Sequence, residues 1–344
     1  MDRVLNVGYI GNGKATNRYH IPFMLTLPEK FRVKTIYARH IRNDAWDAVP
    51  GATYVDDLDA VLGDPAIDIV EICTPSRCHF EHAKAALRAG KHVVVDKPFA
   101  GSEAEAAELF ELARAQGVTV QCFQNRRFDS DYVTARTVYD SGKLGHVFEV
   151  VTSYDYFRPH MMDGVGLDPI DNAAYGHATH CLDQLIAWFG VPDRFHAEVR
   201  QTKGAGAAVD YFDYDLYYDE LNLKATAHAN YASAFLRPSF AVYGDRGAYL
   251  KMEKDQQERD LKHFYLPAGH PDFGQDSLEQ YGLLRYVDET GAMREERVPS
   301  ERTSYAQFYE ALFETVAHGA PQLVKPEETL AQMRILEAGM TLAR

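Results

Sequence analysis

Residues 4–16 read VLNVGYIGNGKAT, a short apolar run that ends in a glycine-rich turn. Gly11 and Gly13 occupy the first two positions of the pattern G-x-G-x-x-G, and Thr16 stands where the third glycine would be. Glycines at these positions permit a tight turn and let backbone N–H groups approach a pyrophosphate at the start of a helix. The same turn also occurs as a bare structural feature, so the surrounding elements decide its meaning.

Short apolar runs alternate with amphipathic stretches through the first 120 residues. Strands are predicted at 4–11, 32–39, 52–57, 67–74, 92–96 and 118–124, and helices at 78–90 and 102–117. The second of these helices begins with a capping-box pattern at Ser102 and Glu105 and ends at Gly117. Continuous apolar strands separated by helices are typical of a parallel sheet covered on both faces. We therefore predict an α/β protein whose residues 1–124 form a doubly wound (Rossmann) dinucleotide-binding domain.

The pattern changes after residue 125. Helices are predicted at 130–145, about 175–189 and 305–319, and long strands at 146–157, 194–202, 210–218 and 221–231. The stretch FAVYGDRGAYLKM (240–252) is typical of a hairpin that turns at Asp245–Arg246. Residues 125–344 are therefore predicted to form a substrate-binding and oligomerisation α+β domain with a large, mostly antiparallel open sheet.

The first long strand of this second domain is apolar on both sides. Helices of one chain can cover only one face of an open sheet, so we expect the other face to meet a second subunit. The residues assigned to one face are Phe148, Val150, Tyr154 and Tyr156, and those assigned to the other are Val147 and Val151.

Composition excludes several classes of protein. The 344 residues carry a formal net charge of −14, and scattered basic residues predict no binding to nucleic acid. No apolar run reaches the roughly 18 residues of a membrane helix, and the first strand begins at once, so we expect a cytoplasmic protein without membrane contact. The four cysteines form no C-x-x-C pair, and we expect reduced thiols without a disulfide or structural zinc.

The end of the second predicted strand selects the nucleotide. NAD sites place an acidic residue here to bind the ribose hydroxyls, whereas a 2′-phosphate requires cations. This chain instead has Arg39, His40 and Arg42. We predict NADP, with NAD as the alternative cofactor, and a solvated basic turn is the structural alternative.

Two further strand ends carry polar side chains. Thr74 and Pro75 follow the fourth strand, and His79 lies on the next helical turn as either a cofactor contact or a half-exposed helix residue. In HVVVDKPFA (92–100), Lys97 ends the fifth strand at the edge where ligands bind in such sheets. We expect Lys97 to polarise a substrate oxygen and Asp96 to pair with it or reach a cofactor ribose, the alternative being a surface lysine in a turn.

The second domain offers a further candidate group in YGHATHCLDQLIAWFG (175–190). His177, His180, Asp183 and Gln184 share one helix face. The two histidines would be adjacent, but the third ligand of a metal site is not obvious, so no metal is expected and capping and core packing are the structural alternative. Arg127 is interpreted as a substrate contact, and a salt-bridged hinge of Arg126, Arg127 and Asp129 is the alternative. The full set of candidate cofactor contacts is Gly11, Asn12, Gly13, Lys14, Ala15, Thr16, Arg39, His40, Thr74, Pro75, His79 and Asp96, and that of substrate contacts is Asn125, Arg127, Tyr156, Arg158, His177 and Asp183.

These motifs together resemble the Gfo/Idh/MocA oxidoreductases over essentially the whole chain. The resemblance rests on GYIGNGKAT, CTPSRCHFEHAKAAL, VVVDKPFA, QNRRFD, SGKLG and HCLDQLIAWFG. It implies that Lys97 acts on the substrate hydroxyl or carbonyl, that His180 is the second acid–base group, and that the Lys97–Pro98 bond is cis. It also implies a nicotinamide nucleotide at the glycine-rich turn and oligomerisation through the C-terminal sheet.

One motif departs from the family pattern. Sugar and inositol dehydrogenases of the family commonly carry D-x-G-x-H, whereas this chain has Gly176 and Ala178 in place of the aspartate and the glycine. We still predict an enzyme that transfers a hydride between a nicotinamide and a sugar, a polyol or a related carbonyl compound. The alternatives are an NAD(P)-using glycosidase with transient oxidation of its substrate and a non-catalytic nucleotide-sensing regulator.

Overall fold

The computed structural model describes residues 3–41, 46–160, 170, 172 and 174–343. The chain forms two compact units. The first unit consists of Met1–Asn125, Asp260–Phe273 and Tyr305–Met333, and the second of Arg126–Arg259, Gly274–Ser304 and Arg334–Arg344. Two later segments of the chain thus join the first unit. The last strand of the parallel sheet ends at Cys122. The domain boundary between residues 124 and 125 stays a prediction.

The sheet of the first unit is parallel throughout. Its strands lie in the order β3-β2-β1-β4-β5-β6, with helices between them, which confirms the doubly wound fold. The order reverses between β1 and β4, and this switch point is where such sheets bind ligands. The strands are β1 (Leu5–Ile10), β2 (Phe31–Tyr37), β3 (Thr53–Val55), β4 (Ile69–Ile72), β5 (His92–Val95) and β6 (Val120–Cys122). The helices are α1 (Ile21–Met24), α2 (Asp59–Leu62), α3 (His79–Arg88) and α4 (Glu103–Gln116).

Local side-chain chemistry sets the ends of α4. The Ser102 hydroxyl accepts a hydrogen bond from the Glu105 backbone N–H at 3.2 Å, as the capping pattern predicts. The Glu105 carboxylate accepts from Gly101 N–H at 2.8 Å rather than from Ser102, so the reciprocal bond is displaced by one residue. Gly117 ends the helix with φ +68°, a left-handed conformation that favours glycine.

The second unit is built on an eight-stranded sheet in the order β14-β13-β12-β11-β7-β10-β9-β8. Only the β7–β10 pair is parallel, so the sheet is mostly antiparallel, as predicted. Its strands are β7 (Val147–Ser153), β8 (Arg194–Arg200), β9 (Tyr211–Tyr218), β10 (Leu223–Asn230), β11 (Phe240–Gly244), β12 (Gly247–Lys251), β13 (Gly282–Val287) and β14 (Met293–Val298). Its helices are α5 (Ser130–Asp140) and α6 (Thr179–Phe189). The helices α7 (Gln256–Lys262) and α9 (Pro326–Thr341) are divided between the two units, and α8 (Ala306–His318) belongs to the first.

The predicted faces of β7 need one correction. Val150 is fully buried, whereas Phe148, which strict alternation would place on the same face, is 43% exposed. In the pairing with β11, Gly244 lies opposite Val147 and Tyr243 opposite Glu149, so Phe148 is passed over as a bulge residue. A bulge shifts the side-chain alternation by one position, which the sequence pattern of a single strand does not reveal.

The two faces of this sheet differ in character. The helix-covered face is apolar, and Phe189 of α6 packs on Tyr218 at a ring-centroid distance of 5.5 Å. On the opposite face Asp215 accepts a hydrogen bond from Thr226 at 2.6 Å and lies 3.0 Å from the Lys224 ammonium. That second face is thus more polar than the sequence pattern indicates. In the described part of the chain, no helix has the length and apolar character needed to cross a membrane.

Candidate functional site

The glycine-rich turn of the first unit is held closely against the neighbouring loop. Gly11 has φ +115°, and a β-carbon there would lie 2.5 Å from the Cys73 carbonyl oxygen, so only glycine fits. A β-carbon on Gly13 would meet nothing within 4 Å, so packing within the protein does not require a glycine here. The absence of a side chain at Gly13 leaves the surface of the turn open to a ligand. Thr16 is fully buried, and its hydroxyl donates to the Gly11 carbonyl at 2.8 Å. Thr16 therefore braces the turn, and its contact with a nucleotide stays a prediction.

The turn forms one wall of a cavity of about 660 Å³, a usual size for a small-molecule site. The end of β2 and the loop from β4 into α3 form the other walls, so the cavity lies at the switch point of the sheet. Its lining residues are Gly11, Asn12, Gly13, Tyr37, Ala38, Arg39, His40, Trp46, Cys73, Thr74, Pro75, Arg77, Cys78 and His82. Another cavity, of about 450 Å³, is lined by residues at the amino ends of the strands, where open parallel sheets do not bind their ligands.

The charge of the 660 Å³ cavity is opposite to that of the whole chain. Two arginines and two histidines line it, and no aspartate or glutamate is among its described lining residues, although the chain has a net charge of −14. The structure thus brings Arg39 and His40 to the glycine-rich turn, as predicted, whereas Arg42 lies outside the described residues. A cavity with this lining fits an anionic nucleotide, and the cationic side chains fit a phosphate group.

Sequence reasoning missed seven residues of this cavity, and Trp46, Arg77 and His82 are the three whose side chains bear on nucleotide binding. Trp46 donates from its indole nitrogen to the Asn12 carbonyl at 3.0 Å, which ties it to the glycine-rich turn. Arg77 lies in the motif CTPSRCHFEHAKAAL shortly after β4, so its position at the carboxyl edge of the sheet could have indicated a ligand contact. Nothing in the local sequence distinguishes His82 or Trp46 from ordinary surface residues.

His79 is buried rather than half-exposed. Its Nδ1 lies 2.7 Å from the Pro98 carbonyl oxygen, and its Nε2 lies 2.9 Å from the Thr74 carbonyl oxygen. Both ring nitrogens thus face backbone carbonyl oxygens, which accept hydrogen bonds. His79 therefore joins the loop after β4 to the segment after β5, and direct contact with a cofactor stays a prediction.

Lys97 follows β5 at the carboxyl edge of the sheet, and the Lys97–Pro98 bond is cis, as the resemblance implied. The Asp96 carboxylate accepts a hydrogen bond from the Lys97 backbone N–H at 2.8 Å. Burial alone would raise the pKa of Asp96, but the neighbouring cations, first of them His20, outweigh burial and lower it. Asp96 is thus a carboxylate at neutral pH, with its charge beside the proposed catalytic lysine.

A buried polar cluster lies behind Asp96 in the core of the first unit. His20 Nδ1 is 2.8 Å from Glu71 Oε2 and 3.0 Å from the Tyr309 hydroxyl, and His20 Nε2 is 3.9 Å from Asp96 Oδ1. Burial raises the pKa of Glu71. Among the residues that the structure describes, His20, Glu71 and Cys73 are the one group with the spacing of metal ligands. A hydrogen-bonded histidine–glutamate pair accounts for these contacts without a metal.

In the second unit, the histidines at the start of α6 face a group of tyrosines. The His180 ring is buried and lies parallel to Tyr154, with 6.4 Å between the ring centroids. His177 is hydrogen-bonded to the Tyr231 hydroxyl, and its ring lies 5.3 Å from that of Tyr156. The predicted residues His177, His180 and Tyr156 are therefore neighbours in one aromatic group. Arg158 is exposed, and its guanidinium lies 4.2 Å from the Tyr156 ring centroid.

The remaining predicted substrate residues form buried ion pairs or lie in the protein interior. Arg127 and Asp183 form a bidentate pair with distances of 2.8 and 2.7 Å. Arg126 lies 3.0 Å from Asp129 and 2.9 Å from Glu258, so this segment is salt-bridged, and its role as a hinge stays a prediction. Asn125, in the first unit, is also buried. Substrate contacts by Asn125, Arg127 and Asp183 stay predictions.

Lys254 is a residue of this group that sequence reasoning did not find. Its ammonium nitrogen lies 5.0 Å from the ring centroids of both Tyr154 and Tyr156. Burial lowers the pKa of Lys254. A half-buried lysine against two tyrosine rings is a candidate functional group. Because about 100 positions of sequence separate Lys254 from Tyr154, only the folded chain brings them together.

Comparisons with known proteins agree with this architecture. Residues 5–124 match the family described as "Oxidoreductase family, NAD-binding Rossmann fold", and residues 139–344 match "Oxidoreductase family, C-terminal alpha/beta domain". The chain is 40% identical to the uncharacterized oxidoreductase YhhX of Escherichia coli, over 99% of this chain and 97% of YhhX. A crystal structure of YhhX superposes with a TM-score of 0.91 at 39% identity, covering 98% of this chain and 97% of that one.

A relative with an assigned activity is more distant. The chain is 29% identical to the scyllo-inositol 2-dehydrogenase (NADP(+)) IolW of Bacillus subtilis, over 98% of this chain and 93% of IolW. Both family domains are present along nearly the whole chain, and the switch-point cavity is where a nucleotide binds in such a fold. The protein therefore belongs to the Gfo/Idh/MocA family of oxidoreductases, with a nicotinamide-nucleotide-binding Rossmann domain.

Proposed function

We propose that the protein is an NADP-dependent oxidoreductase that acts on a sugar, a polyol or a related carbonyl compound. The observation that carries the choice of NADP is the cavity lining, which holds Arg39, His40, Arg77 and His82 and no described acidic residue. An aspartate or glutamate after β2 binds the ribose hydroxyls of NAD and repels a 2′-phosphate, whereas an arginine binds that phosphate. The similarity to IolW, which is named as a scyllo-inositol 2-dehydrogenase (NADP(+)), supports both the cofactor and the substrate class.

The proposed roles of the protein groups follow from their positions. The bound nicotinamide would supply or accept the hydride. Lys97 ends an interior strand, and a rigid strand end can hold an ammonium against one substrate oxygen and stabilise a developing alkoxide. His180, at the start of α6, would give or take the proton of that oxygen. Gly176 supplies no carboxylate near His180, so the proton path here differs from that of relatives with the D-x-G-x-H motif.

Nucleotide preference is the first test, and the chain contains a reporter for it. Trp46 lines the cavity and is one of two tryptophans, so a Trp188→Phe background makes its fluorescence specific for nucleotide binding. We expect NADPH to bind at least ~10-fold more tightly than NADH, which corresponds to about 1.4 kcal/mol. Arg39→Asp should reverse this order, whereas Arg32→Asp, the same charge change at an exposed site on β2, should not. Equal dissociation constants for the two nucleotides in the parent protein contradict the proposal.

Turnover is the second test, with scyllo-inositol, other polyols and sugars as substrates and NADPH absorbance as the signal. Lys97→Met should bind NADPH normally but lose roughly 10²–10⁴ in turnover, the usual loss for a positioned acid–base group. His180→Ala should also reduce turnover, and the double variant should lose less than the product of the two single losses if both groups serve one proton path. Near-normal turnover by Lys97→Met removes the lysine from the mechanism.

A further inference from the structure

His82 lines the cavity proposed to bind the nucleotide, although the sequence alone offers no reason to select it. It lies in the first turn of α3, is half-buried, and lines the switch-point cavity together with Arg39. Its Nδ1 is 3.3 Å from the Thr74 hydroxyl, which orients the ring from the loop after β4. A histidine fixed in this way presents its other ring nitrogen to a ligand.

The charges around His82 keep its ring neutral in the protein by itself. Burial lowers the pKa of His82, and the positive charges of His79 on α3 and Arg39 after β2 lower it further. Glu81, exposed on α3, acts in the opposite direction but does not outweigh them. The other described groups with ionisable side chains that line the cavity are His40, Arg77, Tyr37, Cys73 and Cys78, and none of them is a carboxylate. Glu81 is thus the one described carboxylate that acts on His82, and no described residue of the cavity wall carries another.

A 2′-phosphate would supply an anion to this cavity. At pH 7.5 a phosphate monoester carries close to two negative charges, because its second pKa is about 6. We propose that His82 and Arg39 together bind the 2′-phosphate of NADPH, and that His82 takes up a proton as the nucleotide binds. This inference rests on the proposed NADP preference and adds a specificity residue with a proton linkage to it. His79 is unsuited to the same role, because both of its ring nitrogens already contact carbonyl oxygens.

Two measurable effects distinguish a 2′-phosphate bound by His82 and Arg39 from one bound by Arg39 alone. NADPH binding should take up close to one proton at pH 7.5, whereas NADH binding should take up none, because NADH lacks the phosphate. The heat of binding then depends on the buffer for NADPH alone. The charged hydrogen bond from His82 should also improve NADPH affinity by roughly 10-fold or more, within the range of bonds to charged groups.

The experiment is titration calorimetry of the full chain with NADPH and with NADH, in two buffers that differ in ionisation enthalpy, at pH 7.5. His82→Gln keeps a polar side chain and should abolish proton uptake, weaken NADPH by about 10-fold, and leave NADH affinity unchanged. His82→Arg carries a permanent charge and should keep the NADPH preference without proton uptake. His92→Gln is the matched control, because His92 is also a half-buried histidine but lines the cavity at the amino ends of the strands.

The outcomes distinguish this inference from the proposed function. Equal affinity of the parent protein for NADPH and NADH contradicts the NADP assignment itself. If the parent protein prefers NADPH but its heat of binding does not depend on the buffer, the inference about His82 is overturned and the NADP assignment stands. It is also overturned if His82→Gln retains both proton uptake and the preference, or if His40→Gln loses the uptake instead. Unchanged NADH affinity in His82→Gln shows that the variant is folded, so a loss of NADPH affinity is specific.

Discussion

Replacing Arg127 with methionine should destabilise the second unit strongly, because this arginine is half of a buried ion pair. The guanidinium and the Asp183 carboxylate make two hydrogen bonds, of 2.8 and 2.7 Å, and the residues are 9% and 4% exposed. Removing one partner of a buried pair leaves an uncompensated charge in a medium of low dielectric constant. We expect Arg127→Met to lower the free energy of unfolding by about 3–5 kcal/mol.

The double variant gives the sharper prediction. Asp183→Leu alone should also cost about 3–5 kcal/mol, since it leaves the guanidinium buried without its carboxylate. The double variant Arg127→Met and Asp183→Leu removes both charges, so it should cost less than either single substitution. Asp183 lies one helical turn after His180 on α6, so the pair also holds the helix that carries the proposed proton donor.

Urea unfolding measures these effects, and Trp188 on α6 reports them in a Trp46→Phe background. Circular dichroism serves as an independent check of cooperative unfolding. The reasoning is refuted if each single variant costs less than about 1 kcal/mol, the range of exposed ion pairs. It is refuted equally if the double variant costs the sum of the two singles. A single variant with full stability but no turnover would instead assign Arg127 to the substrate.

Three other predictions concern pH, activity and assembly. Asp155 is 1% exposed, and its pKa is lowered to about 2 because contacts with His228 and Arg237 outweigh its burial. Its carboxylate should therefore add about 2 kcal/mol to the free energy of unfolding above pH 4, and this contribution should be lost as pH falls through about 2. Urea unfolding of Asp155→Asn should lack that acid-dependent loss. A β-carbon on Gly176 meets nothing within 4 Å, so Gly176→Asp should fold normally and raise polyol turnover by ~10-fold or more, whereas Gly176→Asn should not. Self-association through the C-terminal sheet predicts a mass of at least twice 38.8 kDa by light scattering at micromolar concentration, and a monomeric mass contradicts it.

Much of the fold could be predicted because its signals are local. Each strand of the parallel sheet is a short apolar run. Glycines at the ends of these runs permit tight turns, and prolines restrict the backbone within a few residues. The same local signals locate the glycine-rich turn, the basic end of β2 and Lys97 at the carboxyl edge. The Phe148 bulge was missed, since it depends on the register with β11, about 95 residues later in the chain.

The class of fold, the switch point and the residue types near it follow from the amino-acid sequence. How those residues are used depends on tertiary contacts: Thr16 and His79 bond to backbone carbonyls, Arg127 pairs with Asp183, and His82 joins the wall of the cavity. The two kinds of information differ in the range of the interactions behind them. Helix and strand periodicity depends on neighbours a few residues apart, whereas the partner of a buried charge is chosen by contacts between distant segments.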